Sequence, residues 1–559
     1  MKLVECVPNV SEGRDRTVLD ALAAAISSVD GVELLDVDPG ATTHRTVFTF
    51  VGGIDAAERA AFALIEKAAS LIDMRAHRGE HPRMGATDVC PFVPLGDTTM
   101  EECAELARRL GRRVGEELRI PVFLYEAAAS SPARRSLADI RKGEFEGLAA
   151  KLRDPAWEPD FGPPEPHPRA GATVIGAREF LIAYNVSLNT RDRKLATLIA
   201  QNIREAGRPR RGPDGKVLRD SAGAALTEPG PSRMEAVRAT GWYIEEYGRA
   251  QVSINLTDYK ISPPHAVFDA VEKEAAALGL RVTGSEVVGL IPLEAVRMAG
   301  RHYLRRQGRT AGLPEEELVA AARLSLGLDD VSPFDPGRKI IEYRVQPRGR
   351  LASLPVSGFV DLVSSPAPAP GGGSVAALAG ALGAGLAAMV AALTHERKGM
   401  EDRRAEMERL GSESQAIKSR LSLAVDDDTR AFEGMMSAGR LPRATEAQRA
   451  ERERAVQEAT RRAIEVPLAV MRDGVRALEI ASALASRGMP SARSDAGVAV
   501  LAAAAAVEGA WYNVLINLGG LADGGAARTL RAEGDRLLAA ARRLRDEAAA
   551  HVAATLGER

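Results

Sequence analysis

Cysteine is almost missing from this chain: 559 residues carry only Cys6, Cys90 and Cys103. An odd, scattered set builds no disulfide framework and lacks the paired spacing of a zinc site. A reducing, cytoplasmic setting is the expectation. Charge of one sign is missing as well. Lys and Arg number 74 against 76 Asp and Glu, a formal net charge of −2. A chain without a basic excess is no general nucleic-acid binder, because phosphate neutralisation needs that excess. A local basic pocket for an anionic small molecule is compatible with the balance. No apolar run opens the chain, since Glu5 and Pro8 interrupt it early, which argues against a secretory signal. One long apolar stretch does occur, at residues 375–393, but it is mostly Ala and Gly. Small side chains give little drive into lipid and allow close helix packing, so a buried core helix is expected rather than a membrane span.

What is present changes character near residue 360. Before it, strand-like segments at 32–37, 46–51, 89–95 and 121–125 alternate with helical patterns at 55–69 and 98–118. The alternation restarts with strands at 180–186 and 252–256 and helices at 191–205 and 266–278. This predicts two α/β units in tandem, each a sheet with helices. The Gly-, Pro- and Arg-rich stretch 207–232 reads as an exposed mobile loop. After the break Ser-Ser-Pro-Ala-Pro-Ala-Pro-Gly-Gly-Gly at 364–373, strand signals nearly vanish. Helical periodicity fills 400–436, 445–486, 495–518 and 521–556, which predicts an all-α bundle.

The densest polar cluster is Arg75-Ala76-His77-Arg78-Gly79-Glu80-His81-Pro82-Arg83-Met84-Gly85-Ala86-Thr87-Asp88. Its glycines and proline shape a loop. An imidazole beside Glu and Arg suits proton transfer near neutral pH, and the arginines suit paired bonds to carboxylates. The plain alternative is a solvated charged loop. His77 and His81 have a metal-like spacing without a third ligand nearby, so no metal is expected. The proline-dense stretch 159–173 reads by itself as a stiff extended linker. In the helical half, Pro370-Gly371-Gly372-Gly373-Ser374 precedes the Ala-rich helix, where free N–H groups favour an anion or carbonyl. A glycine hinge with a Ser cap is the alternative. Asp426-Asp427-Asp428 lies inside a helical pattern, and one of them on the buried face gains a raised pKa. Arg493-Ser494-Asp495 looks like a helix start. Asn513 and Asn517 share one helix face and need partners, either a ligand or another helix. His395 is read as structural.

In this order the motifs resemble the formimidoyltransferase-cyclodeaminase family nearly end to end. The match runs through Val4-Glu5-Cys6-Val7-Pro8-Asn9-Val10-Ser11-Glu12-Gly13, the loop Gly79-Glu80-His81-Pro82-Arg83-Met84-Gly85-Ala86, and Gly241-Trp242-Tyr243. It continues in Ala369-Pro370-Gly371-Gly372-Gly373-Ser374, Asp428 with Arg430-Ala431-Phe432, and Tyr512-Asn513-Val514-Leu515-Ile516-Asn517. The resemblance implies an α+β transferase region of two ferredoxin-like α/β subdomains, 1–178 and 179–326, a linker at 327–355, and an all-α helical-bundle cyclodeaminase domain at 356–559. It implies a bifunctional folate enzyme of histidine degradation. The first domain moves the formimino group of N-formimino-L-glutamate to N5 of tetrahydrofolate. The second closes 5-formiminotetrahydrofolate to 5,10-methenyltetrahydrofolate with release of ammonia. His81 stands at the transferase acid/base and Asp428 at the cyclodeaminase carboxylate. The family's folate-binding stretch corresponds to Gly162, Pro163, Pro164, Glu165, Pro166, His167, Pro168, Arg169, Ala170 and Gly171. Gly371, Gly372, Gly373, Ser374, Arg493, Ser494, Asp495, Asn513 and Asn517 are the further cyclodeaminase candidates. Arg45, Arg78 and Arg83 are candidates for substrate carboxylates. Tetrahydrofolate enters as a substrate, polyglutamylated or not, with no metal, no nucleic acid and no membrane, in a homo-oligomer built from dimers. The alternatives keep the fold but use a formyl donor or a folate cycloligase reaction in the first domain, or bind folate without catalysis.

Overall fold

The computed structural model describes residues 2–557 except 42, 80, 81, 222 and 346–348. The described residues form two compact units, one of 2–295 with 326–345 and the other of 296–325 with 349–557.

Among the described residues the first unit holds a seven-stranded sheet, a four-stranded sheet and a two-stranded ribbon. Strands β1 (Lys2–Cys6) and β2 (Asn9–Val10) are followed by α1 (Arg16–Ser27), β3 (Val32–Gly40), β4 (Arg45–Gly52), α2 (Ile54–Leu71) and β5 (Thr87–Gly96). β4 pairs antiparallel with β3 on one side and with β1 and β2 on the other; β1 and β2 also pair antiparallel with β5. Taking β1 and β2 as one interrupted strand, this is the βαββαβ connectivity of ferredoxin-like folds. The chain then adds α3 (Met100–Glu117), β6 (Val122–Glu126), α4 (Leu137–Arg141), α5 (Glu144–Lys151) and β7 (Thr173–Ala177). β7 lies parallel between β5 and β6. The four-stranded sheet repeats the connectivity with β8 (Ile182–Leu188), α6 (Arg193–Ile203), β11 (Val237–Ile244), β12 (Arg249–Leu256), α7 (Pro264–Ala277) and β13 (Val282–Val288), while β9 (Arg208–Pro209) and β10 (Thr227–Glu228) form the ribbon inserted between α6 and β11. The order of the four-stranded sheet is β11-β12-β8-β13. The duplication is one of topology, invisible to residue matching.

The helices of the first unit start where the residues dictate. The Asp15 side chain accepts from the N–H groups of Thr17 and Val18, and Thr99 with Glu102 closes a capping box. Phe48, Phe50 and Phe92 are fully buried between sheet and helices. The stretch 207–232 differs from expectation. β9 pairs with β10, Arg211 bridges Val217, and Arg219 bridges Ala225, so much of it is hydrogen-bonded hairpin. Gly215 and Gly223, both at positive φ, supply its turns. Turn residues this dense mask the short paired segments between them.

The chain continues through α8 (Leu293–Arg306), α9 (Glu315–Ser325), α10 (Pro336–Lys339), α11 (Ile341–Val345) and α12 (Val356–Val363). The bundle itself is α13 (Gly372–His395), α14 (Arg404–Gly439), α15 (Glu446–Arg487), α16 (Arg493–Leu518) and α17 (Gly524–Gly557). Glycines let α13 lie close to α16. A Cβ on Gly383 would stand 2.9 Å from Ala503 N and 3.0 Å from Ala499 O. A Cβ on Gly380 would meet Ala506, and one on Gly509 would meet Ala376, so the two helices run antiparallel. This is why the apolar stretch is built of Ala and Gly. Among the described residues α13 is one of two helices long and apolar enough to cross a membrane, and just over half of its apolar window is buried within the unit.

Candidate active sites

In the first unit, Asp88 organises the polar loop. It is fully buried at the start of β5, and its Oδ2 accepts from Arg45 at 2.5 Å and Arg141 at 2.6 Å. Its Oδ1 accepts from the Met84 N–H at 2.8 Å. Burial pushes the Asp88 carboxyl up, but the two guanidinium groups outweigh it and hold it below the ordinary carboxylate value. One carboxylate therefore ties β4, α4 and the end of the 75–88 loop together. Glycine at 85 is obligatory there, since a Cβ would stand 2.0 Å from the Ala172 carbonyl.

His81 lies outside the described residues, as does Glu80. The frame on both sides of them is defined. His77 is buried; Arg83 Nε donates to its Nδ1 at 3.2 Å, so the ring proton sits on Nε2 and is donated to the His44 carbonyl at 2.9 Å. Burial lowers the His77 pKa, which keeps this tautomer neutral. With both ring nitrogens engaged, His77 offers no lone pair to a metal. Its ring lies 4.4 Å from that of His44, whose Nε2 faces Glu12 at 3.3 Å. Arg83 also binds Glu146 in a two-pronged pair at 2.8 and 2.7 Å, and Glu144 at 3.0 Å. Arg45 and Arg83 are thus committed to protein carboxylates. Among the described residues Arg78 donates only to the carbonyls of Arg75 and His77, and it stays exposed. Arg78, Gly79, Arg83, Gly143, Glu144 and Glu146 line an open groove of about 440 Å³.

The stretch Gly162–Gly171 runs to this same place. It ends in a closed turn rather than an extended wall. His167 and Gly171 exchange two 2.9 Å backbone bonds, and His167 Nδ1 accepts from the Ala170 N–H at 2.9 Å. Gly171, at φ +71°, bridges Gly85, and the Ala86 N–H donates to the Ala170 carbonyl at 2.9 Å. Pro164, Glu165, Pro168 and Arg169 are exposed, Pro163 and Pro166 half-buried, and Gly162 takes φ +82° against the Ile120 carbonyl. Two segments about 80 residues apart in sequence are joined by backbone pairing.

In the second unit the three consecutive aspartates of α14 point three ways, as roughly 100° per residue requires. Asp426 is buried and accepts from the Leu351 and Ala352 N–H groups at 2.9 and 3.1 Å. Asp427 faces outward and pairs with Arg430. Asp428 meets the start of α13. Its Oδ2 accepts from the Ser374 N–H at 2.9 Å and lies 3.1 Å from Ser374 Oγ. The single Ser374 hydroxyl proton is shared between this carboxylate and the Val425 carbonyl at 2.8 Å. Burial pushes the Asp428 carboxyl above its ordinary value, although the Ser374 bonds pull the other way. A Cβ on Gly373 would stand 2.0 Å from Asp428 Oδ1, and the position above Gly371 is open. Asn513 lies beside Gly372, 3.7 Å from where its Cβ would be, and its amide N–H donates to the Gly509 carbonyl. Asn517 answers the question of its partner with another helix, donating to the Ala463 carbonyl of α15 at 3.0 Å.

Gly371, Gly372, Gly373, Ser374, Asp428 and Asn513 are therefore brought together. Arg493, Ser494 and Asp495 are not. They begin α16 at the opposite end of α13, where the Met489 N–H donates to Thr394 Oγ1. Twenty helical residues separate Ser374 from Thr394, about 30 Å. His395 is buried at that far end, and among the described residues Arg493 Nε is buried without a hydrogen-bond partner. No group of three or more His, Cys, Asp or Glu arranged to hold a metal occurs among the described residues.

Comparison with known proteins gives these sites a context. Residues 3–178 match the formiminotransferase domain, N-terminal subdomain; 183–346 the formiminotransferase domain; and 355–536 the formiminotransferase-cyclodeaminase model. The chain is 44% identical over 525 residues to formimidoyltransferase-cyclodeaminase of Mus musculus, covering 93% of each. It is 45% identical to the glutamate formimidoyltransferase of Thermoplasma acidophilum, over 58% of this chain and the whole of that one. It is also 38% identical to the methenyltetrahydrofolate cyclohydrolase of Methylorubrum extorquens, over 33% of this chain and 89% of that one. With all three domains in order and a relative matched along nearly its full length, this chain belongs to the formimidoyltransferase-cyclodeaminase family.

Proposed function

We propose that this chain transfers the formimino group of N-formimino-L-glutamate to N5 of tetrahydrofolate, and then closes 5-formiminotetrahydrofolate to 5,10-methenyltetrahydrofolate with release of ammonia. The observation that carries the reading is the succession of both transferase subdomains and the cyclodeaminase domain in one chain.

In the transferase, His81 accepts the N5 proton as that nitrogen attacks the amidine carbon, and returns it to the glutamate nitrogen as the carbon–nitrogen bond to glutamate breaks. Asp88 fixes the end of the loop that carries it through the Met84 N–H. The stretch Gly162–Gly171 forms the pterin wall; its backbone pairing to Gly85 and Ala86 supports a position beside that loop. Arg78, whose guanidinium donates to backbone carbonyls alone among the described residues, takes a substrate carboxylate.

In the cyclodeaminase, Asp428 in its acid form protonates the departing amine while N10 attacks the formimino carbon. Burial favours that form by raising its pKa. The N–H groups at the start of α13 and the Asn513 amide orient the folate.

The working form is a homo-oligomer built from dimers. Leu382 and Leu393 of α13 and Val498, Leu501, Tyr512 and Ile516 of α16 leave large apolar side chains exposed on two adjacent helices, which supports a second copy covering this face. The setting is cytoplasmic, in keeping with three buried free thiols and a Cys6–Cys90 pair 3.6 Å apart without a disulfide.

The test is one mixture of protein, tetrahydrofolate and N-formimino-L-glutamate, in which glutamate, ammonia and methenyl-folate absorbance are followed together. All three rising in equal amounts supports the reading. Glutamate without ammonia leaves the transferase and removes the role of Asp428. No glutamate release overturns the transferase assignment.

A further inference from the structure

The two donors that the transferase must tell apart differ in charge. At neutral pH an N-substituted formamidine is a cation, and the corresponding formamide is neutral. Their shapes are nearly the same, so sterics discriminate poorly and a fixed countercharge discriminates well.

The groove beside the His81 loop carries such a charge. Arg83 is neutralised by the two-pronged pair with Glu146, both of whose oxygens it occupies. Glu144 shares only Oε2 with Arg83, at 3.0 Å, and its carboxylate is 42% exposed. Among the described residues its Oε1 has no hydrogen-bond partner, and Glu144 lines the groove together with Arg78 and Gly79.

Its backbone is held in place for this. Glu144 is a non-glycine residue at φ +55°, directly after Gly143 at φ +94°. Left-handed conformations are sparse for such a residue and persist where neighbours enforce them. Here the Phe145 N–H donates to the Arg83 carbonyl at 2.9 Å and the Gly147 N–H to the Gly143 carbonyl at 2.8 Å. The same Arg83 thus fixes the carboxylate from both its main chain and its side chain.

Resting on the transferase reading above, we propose that Glu144 is the specificity-determining residue for the donor. Its free oxygen accepts a hydrogen bond from the amidinium N–H of N-formimino-L-glutamate, while Arg78 takes a carboxylate of the same molecule. A formyl donor presents a neutral carbonyl oxygen there, which the carboxylate repels. Glu144 exchanges no proton and forms no bond in the reaction.

The test compares N-formimino-L-glutamate as substrate with N-formyl-L-glutamate as competitive inhibitor, on the full chain and on its Glu144→Gln and Glu144→Asp variants. Glu144→Gln is expected to lower kcat/KM for the formimino donor about 10- to 100-fold, as a lost charge-assisted hydrogen bond does. The inhibition constant of the formyl compound should stay or tighten. Glu144→Asp should keep the preference for the cation. Equal weakening of both ligands by Glu144→Gln, or no change in either, overturns the inference and leaves the transferase reading intact. A parent chain that transfers no formimino group overturns both. An unchanged first-unit transition in denaturant unfolding checks that each variant is folded.

Discussion

Asp428, on α14, closes the open start of α13 by accepting the Ser374 N–H at 2.9 Å. The family motif around Gly371–Ser374 and the carboxylate 54 residues later are thus one structure. Replacing Asp428 with Asn should reduce cyclisation by about 10²- to 10⁴-fold, the usual range for a lost acid or base. Glutamate release should continue and 5-formiminotetrahydrofolate accumulate. Chromatographic detection of that intermediate checks it; loss of both steps in a folded variant would refute the separation of sites.

Ser374 tunes that carboxyl. Its hydrogen bonds oppose the rise that burial causes. Ser374→Ala removes the hydroxyl bond, so the Asp428 pKa should climb further. If the acid form is the working one, activity is present below the pKa and lost as pH rises through it. The descending limb of the cyclisation rate should therefore move to higher pH in Ser374→Ala. A limb that moves to lower pH would reverse the assigned role.

Gly373 permits the approach. Gly373→Ala places a methyl 2.0 Å from the Asp428 carboxylate oxygen, so helix and carboxylate must part. Displacement of about 1 Å costs roughly 10² in rate. We expect that loss in cyclisation with transfer unchanged, measured on each half-reaction separately.

Asp88 bears two buried-side arginines. Asp88→Ala leaves Arg45 without its carboxylate, and breaking a buried pair in this way costs about 3–5 kcal/mol. Denaturant unfolding should show that loss in the first unit, along with failure of transfer. Cyclisation of supplied substrate should survive at temperatures where the second unit stays folded.

Glu5 is buried, and desolvation, opposed by Arg178, raises its pKa from 4.5 to about 7. A carboxyl raised on folding stabilises the fold fully while both states are protonated. That contribution is lost as pH rises from about 4.5 to about 7, and amounts to about 3 kcal/mol. Glu5→Gln should flatten this slope, so the variant gains on the parent in unfolding experiments at pH 8 relative to pH 5.

The fold was legible where periodicity is strong. The amphipathic helices at 55–69 and 98–118 and the long helices after 400 correspond to α2, α3 and α14 to α17. Short strands were harder. β7 is buried at all five positions, so it lacks the alternation that marks a half-buried strand. β1 and β2 are one strand line broken at residues 7–8. At the sites, the motifs named candidate residues but not their partners. Arg45 and Arg83 read as free cations, because Asp88 and Glu146 lie 43 and 63 residues further on. The sequence put one member of the aspartate triplet on a buried face without saying which; helical rotation assigns Asp426 to a buried turn, Asp427 to the outer face and Asp428 to the start of α13.

The partition of the chain has a practical consequence. Residues 296–325 leave the first unit, join the second, and the chain returns for 326–345 before leaving again. In the second unit that excursion is anchored by Glu408, which accepts from Thr310 Oγ1 at 2.6 Å and the Ala311 N–H at 2.8 Å. In the first, the return is anchored by the Leu326 carbonyl, which accepts from Ser285 Oγ at 2.6 Å, and by Glu342, which accepts from the Leu293 N–H at 2.7 Å. No single scissor point frees one half from the other. A transferase expressed as residues 1–345 carries a detached peg whose socket is gone, and a bundle expressed from 349 onward keeps the socket without the peg. Separating the two activities for study therefore exposes the 296–325 surface, whichever terminus is chosen.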